Sequence, residues 1–369
     1  MSNQLYEIAL MKIPKIGAVT AKNLISYCGG AEEVFRAKKK DLLHIPGIGL
    51  SLAENILTQD VLLWAEQEVQ FLEKNNIQAI SYTDKRYPQR LRNYNDSPLV
   101  LHYKGNADLN QIRVVAIVGT RSPTSYGKMM CEELVEGLKP YNILLVSGLA
   151  YGIDVTAHRH CLEHGIETIG VLGHGLKKIY PSAHRSIAEQ MTERGGLLTE
   201  YPSDEEPDRE HFPARNRIIA GMCDALIVVE TALKGGSMIS AEVANEYNKD
   251  VFAVPGKVRD KFSQGCNLLI KNHKAQLIES AADLVAMLRW EQEEENEQRK
   301  IIQQKLFVEL DEYEQRIMNI LAAAEDAGVV IDKISYQSGF SSSETSALLL
   351  GLEFQGLVRT LPGKRYVKI

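Results

Sequence analysis

The stretch "IRVVAIVGTRSPTSYG", Ile112 to Gly127, is a nearly unbroken apolar run that ends in glycine and then turns polar. Five runs of similar texture follow at helical distances: "YNILLVSG" from Tyr141, "IETIGVLG" from Ile166, "GGLLTEY" from Gly195, "CDALIVVE" from Cys223 and "KDVFAVPG" from Lys249. Apolar runs without in-and-out alternation, separated by helical lengths, indicate strands buried on both faces. The expected fold class is α/β, a doubly wound and mostly parallel sheet over residues 111–289.

On the N-terminal side, "IPKIGAVTAKNLI" from Ile13 is echoed by "IPGIGLSLAENIL" from Ile45. Each copy reads as a tight turn, closed by Gly17 or Gly49, feeding the N-terminus of a helix whose free amides can face a phosphate. Residues 1–75 are thus expected to form a tandem helix-hairpin-helix (SAM-like) domain, although a small bundle whose turns simply need glycine fits equally well. The passage 76–110, interrupted by Pro88 and Pro98, reads as a connector that packs on the core. On the C-terminal side, the run "RWEQEEENEQRK", Arg289 to Lys300, opens a charged linker over 290–306. Residues 307–369 then show three helical segments and a hairpin turning at Pro362-Gly363, the order of a winged helix. Its basic residues (Arg316, Lys333, Arg359, Lys364, Arg365, Lys368) are outnumbered by acidic ones such as Asp311, Glu312, Glu314, Glu325, Asp326, Asp332, Glu344 and Glu353. A protein contact or a structural role therefore suits it as well as duplex DNA.

At 369 residues, 44% apolar and 24% charged, the chain is globular and long enough for two or three domains. A formal charge of −6 gives no overall attraction to polyanions, so a nucleic acid must be held by a local concentration of cations and amides. Five scattered cysteines, never spaced C-x-x-C, point to reduced thiols. No leader-like N-terminus and no apolar run of spanning length is seen, so the expectation is a cytoplasmic protein that does not engage a membrane.

Functional loops of a parallel sheet lie beyond the carboxyl ends of its strands. Those positions hold Gly119-Thr120-Arg121-Ser122, then Ser147-Gly148 running on to Tyr151, Gly152 and Asp154, then His174-Gly175, then Lys234-Gly235-Gly236-Ser237, and finally Lys257. Glycine with a polar or cationic group just before a helix suits a phosphate, and five such loops in register outweigh any single one. A G-x-G-x-x-G fingerprint, an acidic residue closing the second strand and a G-x-x-x-x-G-K-[ST] loop are all missing, which speaks against a nicotinamide or ATP-hydrolysing enzyme and leaves no cofactor expected. "AHRHCLEHG", Ala157 to Gly165, lacks the further ligands a metal site needs, and Ser147 lacks a G-x-S-x-G elbow.

The stretch "HFPARNRIIAG", His211 to Gly221, places Arg215, Asn216 and Arg217 at the start of a helix opened by Pro213. Cations are disfavoured beside a helix N-terminus, so two of them there suggest a bound anion. The competing explanation is pairing with Glu200, Asp204, Glu205 or Asp208.

Taken together, "VGTRSPTSYG", "SGLAYGIDVTAHRHCL", "YPSAHRSI", "EYPSDEEPDREHFPARNRIIAG" and "GGSMISAEVANEYNKDVFAVPG" closely resemble the DNA-processing protein A (DprA/Smf) family across roughly 110–290. The resemblance implies an extended Rossmann-type core that binds single-stranded DNA in a basic pocket, protects it and loads the RecA recombinase onto it in natural transformation. It also implies a homodimer with no enzymatic turnover, no cofactor and no metal. The residues it assigns to DNA are Gly119, Thr120, Arg121, Ser147, Gly148, Gly152, Arg185, Phe212, Arg215, Asn216, Arg217, Gly235, Gly236 and Ser237. Tyr151 and Tyr180 are further aromatic candidates for base stacking. A rival of another class is a nucleoside-monophosphate phosphoribohydrolase like those of the lysine-decarboxylase-like group, because Gly235 to Glu242 keeps that motif's glycine-to-glutamate spacing. Met238 and Ile239 replace its phosphate-facing glycine and threonine.

Overall fold

The computed structural model describes residues 2–58, 60–290, 310–322, 328–354, 357–361 and 365–368. The chain divides into two units, Met1–Glu291 and Gln292–Ile369.

The first unit opens with six helices, α1 (Ser2–Lys12), α2 (Ala18–Cys28), α3 (Ala31–Arg36), α4 (Lys39–Leu43), α5 (Leu50–Thr58) and α6 (Leu62–Lys74). Ile8, Leu10, Leu24, Val34, Leu42 and Leu72 pack into one apolar cluster between them. The duplicated turns differ from expectation in detail. The left-handed residue is Lys15 in the first copy (φ 66°) and Gly47 in the second (φ 84°), whereas Gly17 is extended (φ −89°) and caps α2. Lysine in this conformation carries a Cβ clash that glycine avoids, so the copies share a backbone but not its ease.

Next come β1 (Gln78–Ser81), α7 (Gln89–Arg92) and β2 (Val100–Gly105). The supposed connector is therefore part of the sheet: β1 pairs antiparallel with β2, and β2 pairs antiparallel with β6. The remaining elements alternate: β3 (Arg113–Val118), α8 (Ser125–Leu138), β4 (Ile143–Ser147), α9 (Ile153–His164), β5 (Thr168–Leu172), α10 (Arg185–Glu193) and β6 (Gly195–Thr199). They continue as α11 (His211–Met222), β7 (Ala225–Val228), α12 (Gly236–Glu246), β8 (Asp250–Ala253), α13 (Gln264–Lys271), β9 (Gln276–Leu277) and α14 (Ala281–Leu288). The six runs read as parallel strands are β3 to β8. Strand order is β1-β2-β6-β5-β4-β3-β7-β8-β9, with all pairs from β6 to β9 parallel.

Alternate residues of β3 serve two cores. Val114, Ala116 and Val118 pack with α11 and α12, while Val115 and Ile117 pack with α8 and α9. The winding starts at β3, runs outward to β6, then crosses back so that β7 lies on the other side of β3. This reversal leaves a crevice beyond the carboxyl end of β3, where open α/β sheets bind ligands.

The second unit comprises α15 (Glu312–Ala322), β10 (Val329–Val330), α16 (Ile331–Ser338), α17 (Ser342–Phe354), β11 (Val358–Leu361) and β12 (Arg365–Lys368). Its three strands pair antiparallel in the order β10-β12-β11 over a core of Ile317, Leu321, Ile334, Leu349 and Leu352, which is a winged helix. The charged linker, from residue 291 onward, and the Pro362-Gly363 turn lie outside the described residues.

Candidate functional site

The turn after β3 sits at the crevice. Thr120 N–H donates to Glu230 O (2.7 Å), and Thr120 O accepts from Ile153 N–H at the start of α9 (3.2 Å). Glu230 itself is buried. Its carboxylate accepts from Thr124 N–H (2.9 Å) and Thr124 hydroxyl (2.6 Å), while that hydroxyl caps α8 by accepting from Gly127 N–H. The turn is thus held from both sides and Arg121 is presented outward, exposed. Its guanidinium carbon lies 5.5 Å from the centroid of the Phe212 ring, the range of a cation–π contact. Phe212 in turn lies 5.9 Å from the Tyr180 ring, which is 48% exposed.

Tyr180 is placed by His174, at the end of β5. His174 Nδ1 donates to Gly175 O (2.8 Å), which leaves Nε2 to accept from Tyr180 N–H (3.3 Å). Burial lowers the His174 pKa and so favours this neutral form. His184 similarly donates from Nδ1 to Leu149 O (2.9 Å) and meets the exposed Tyr151 ring edge-on at 4.8 Å. Arg185, exposed, follows directly as the first residue of α10. Arg121, Phe212 and Tyr180 therefore form one contiguous aromatic and cationic platform, with Tyr151 and Arg185 on the neighbouring strand-end loops.

The second loop is built differently from expectation. Ser147 is fully buried and its hydroxyl donates to Ile117 O (2.6 Å), inside the sheet. Leu149 (φ 56°) and Gly152 (φ 84°) both take left-handed backbone, and a Cβ on Gly152 would meet the Thr120 carbonyl and the Arg121 backbone at less than 3.0 Å. At Gly148 a Cβ would lie 2.5 Å from both Arg215 Nη2 and Asp154 Oδ2. This glycine makes room for a buried guanidinium and a buried carboxylate of the protein itself.

That arrangement changes the reading of the two arginines. α11 begins at His211, not Pro213, because proline fits the first helical turn where no amide donor is needed. Arg215 and Arg217 therefore sit in the second turn, and the argument from the helix terminus lapses. Arg215 is 3% exposed, and its Nη1 donates to Val171 O. Burial lowers its pKa to about 10 against the opposing pull of Asp154, whose own pKa is raised by burial and held back chiefly by Arg215. Arg217 forms an ion pair with Glu200 and donates to Asp96 O (2.7 Å). Neither guanidinium is free at the surface. Asn216, between them, is half-buried.

Gly235 caps α12, and Gly236 and Ser237 are its first residues. Ser237 is 6% exposed and its hydroxyl has no partner among the described residues. Glu242, the carboxylate of the phosphoribohydrolase alternative, is exposed further along the same helix. Sequence reasoning named His174 only as part of a strand-end loop suited to phosphate and gave no role to Glu230 or His184; an acidic residue closing an apolar strand was the signal available for Glu230. Among the described residues no group of three or more His, Cys, Asp or Glu could hold a metal, and no helix is long and apolar enough to cross a membrane.

Residues 78–289 match the DNA recombination-mediator protein A family, 7–59 the SAM-like helix-hairpin-helix tandem, and 308–364 the DprA winged helix domain. Protein Smf of Synechocystis sp. is 34% identical across 99% of the chain and 98% of its own length. The DNA processing protein DprA of Streptococcus pneumoniae is 42% identical over 56% of the chain and 73% of its own. Its crystal structure covers 79% of this chain and 99% of its own, with a TM-score of 0.61 at 32% identity. A DNA processing protein A from Helicobacter pylori, solved for its single-stranded DNA binding mode, covers 58% and 97% respectively, with a TM-score of 0.53 at 29% identity.

Proposed function

Because this chain belongs to the DNA recombination-mediator protein A family, we propose that it is a non-enzymatic, cytoplasmic protein that binds single-stranded DNA, protects it and loads RecA onto it during natural transformation. The observation that carries the reading is the Arg121–Phe212–Tyr180 platform at the crevice beyond β3. Single strands are held by cations along the phosphates and by aromatic faces for the bases, and the platform offers both within one ring-to-ring distance. The Helicobacter pylori relative, solved for single-strand binding, supports the same ligand. An acidic total charge of −6 is compatible with it because the cations are local.

Within this reading Arg121 and Arg185 contact phosphates, Phe212 and the exposed tyrosines stack bases, and the Gly235–Ser237 turn supplies amides. Arg215 and Arg217 act from behind, by fixing the loops. RecA delivery and a homodimer follow from the family resemblance. The test is a titration of single-stranded against duplex oligonucleotides across salt, on the full chain and on a chain ending near Arg289. Salt-sensitive preference for the single strand, weakened and with a shallower salt slope in Arg121→Ala, supports the reading. Equal affinity for duplex in both chains, or release of ribose phosphate from AMP, overturns it.

A further inference from the structure

The segment "KVRDK", Lys257 to Lys261, follows β8; its first lysine is among the strand-end residues suited to phosphate, but the segment lies outside the Arg121–Phe212–Tyr180 platform. It carries three cations in five residues, all exposed, and between them Val258 is 83% exposed. Among the described residues none of the three has an ion-pair partner; the Lys261 ammonium merely lies 5.5 Å over the neighbouring Phe262 ring. Lys234, in the turn after β7, is exposed and likewise unmatched among the described residues.

The segment is tied to the Arg121 turn through one continuous framework. Thr120 is bonded to Glu230 O; the next residue, Thr231, donates its N–H to Phe262 O (2.6 Å) and accepts from Gly265 N–H (2.9 Å). At its other end, Tyr126 hydroxyl donates to Pro255 O (2.7 Å), and Asn267 brackets Gly256 with bonds of 2.9 and 3.2 Å. The turns after β3, β7 and β8 are therefore fixed relative to one another and lie along the same carboxyl edge. From β5, whose following loop carries Tyr180 and Arg185, to β8 is four strand steps, or about 19 Å at the usual spacing. That is roughly six nucleotides at a stacked rise of about 3.4 Å.

We propose that Lys257, Arg259 and Lys261, with Lys234, form a second phosphate-binding segment that extends the single-stranded DNA track from the Arg121–Phe212 platform across β7 and β8. This rests on the single-strand reading above. A short strand reaches only the platform, whereas a longer one also crosses the β8 turn.

The test compares the wild type with the triple variant Lys257→Gln, Arg259→Gln, Lys261→Gln, whose exposed positions leave the core untouched. Affinity is measured by fluorescence anisotropy for oligothymidylates of about five and about fifteen nucleotides, over a range of salt. Removing one cation from a phosphate lowers the salt slope by about 0.7, so the triple variant is expected to drop by about 2 in slope and between tenfold and a hundredfold in affinity for the longer strand near 0.1 M salt. Its affinity for the short strand stays within about twofold, and Lys139→Gln, at the opposite edge of the sheet, changes neither. A triple variant with the wild-type slope and long-strand affinity, or one that weakens both lengths equally, overturns the extension alone. Failure of the wild type to bind either strand overturns the extension together with the reading beneath it.

Discussion

Alanine at Gly148 is the perturbation that separates a glycine making room for protein from one making room for ligand. The new methyl would lie 2.5 Å from both Arg215 Nη2 and Asp154 Oδ2, where carbon requires about 3.4 Å or more. Both side chains are more than nine-tenths buried, so the guanidinium cannot step aside without leaving Val171 O. Overpacking of this kind costs about 1–3 kcal/mol. The hydrogen bond from a charged donor adds about 1.5–3 kcal/mol when broken. Together they lower stability by about 3–5 kcal/mol and the melting temperature by roughly 10 °C. Gly236→Ala is the control, since nothing lies within 4 Å of a Cβ there. That variant should melt within about 1 °C of wild type. Thermal and urea unfolding followed by circular dichroism, beside oligonucleotide binding, reads both effects. A Gly148→Ala protein that melts like wild type but no longer binds DNA would refute the reasoning, because the glycine would then be clearing space for the ligand.

Three further outcomes are expected. Arg121→Ala should weaken single-strand binding by about fivefold near 0.1 M salt and flatten the salt slope by about 0.7, with no change in melting, whereas Phe212→Ala should cost about 1–3 kcal/mol of binding per base unstacked; equal loss of stability in either variant would contradict a surface role. Arg217→Ala strips the partner from Glu200, whose buried Oε1 already lacks a hydrogen bond among the described residues, and should cost about 3 kcal/mol in urea unfolding while the protein that remains folded still binds DNA. His158 is fully buried, and because Thr168 hydroxyl donates to Leu145 O, His158 Nδ1 must be the donor to Thr168, while burial keeps the ring neutral. Burial first, and Arg215 next, push its pKa from 6.5 to about 3. With the folded value below the unfolded one, its contribution is complete above pH 6.5 and declines as pH falls toward 3. The stability advantage of wild type over His158→Met should therefore shrink by about 2 kcal/mol between pH 6.5 and 5; a constant difference would rule out a neutral histidine.

The parallel strands were legible because burial on both faces leaves an unmistakable mark: "VVAIV" and "LLVS" have no polar alternation to confuse. β1 and β2 were not, since they flank prolines and join the sheet only through β6, where His102 pairs with Thr199 far along the chain. Arg121, Phe212 and Tyr180 could be picked out as types suited to single strands, but their mutual contact, which joins the turn after β3, the loop after β5 and the first turn of α11, could not. The burial of Arg215 could not be foreseen. A guanidinium signals surface by composition, and only the missing Cβ of Gly148, 67 positions earlier in the chain, admits it to the interior. The start of α11 was misplaced by taking Pro213 as a boundary when it is a tolerated first-turn residue.

The contact between Arg121 and Phe212 couples two contributions to binding. The guanidinium lies over a face of the Phe212 ring, so in the proposed single-strand site a base and the arginine would compete for one surface, and a phosphate that drew the arginine away would vacate it for the base. Removing the arginine alone leaves the ring open, and removing the ring alone leaves the arginine untethered. The two single substitutions therefore add up to something other than the double one, and the size of that mismatch in a double-mutant cycle measures how far the site behaves as an exchange of partners.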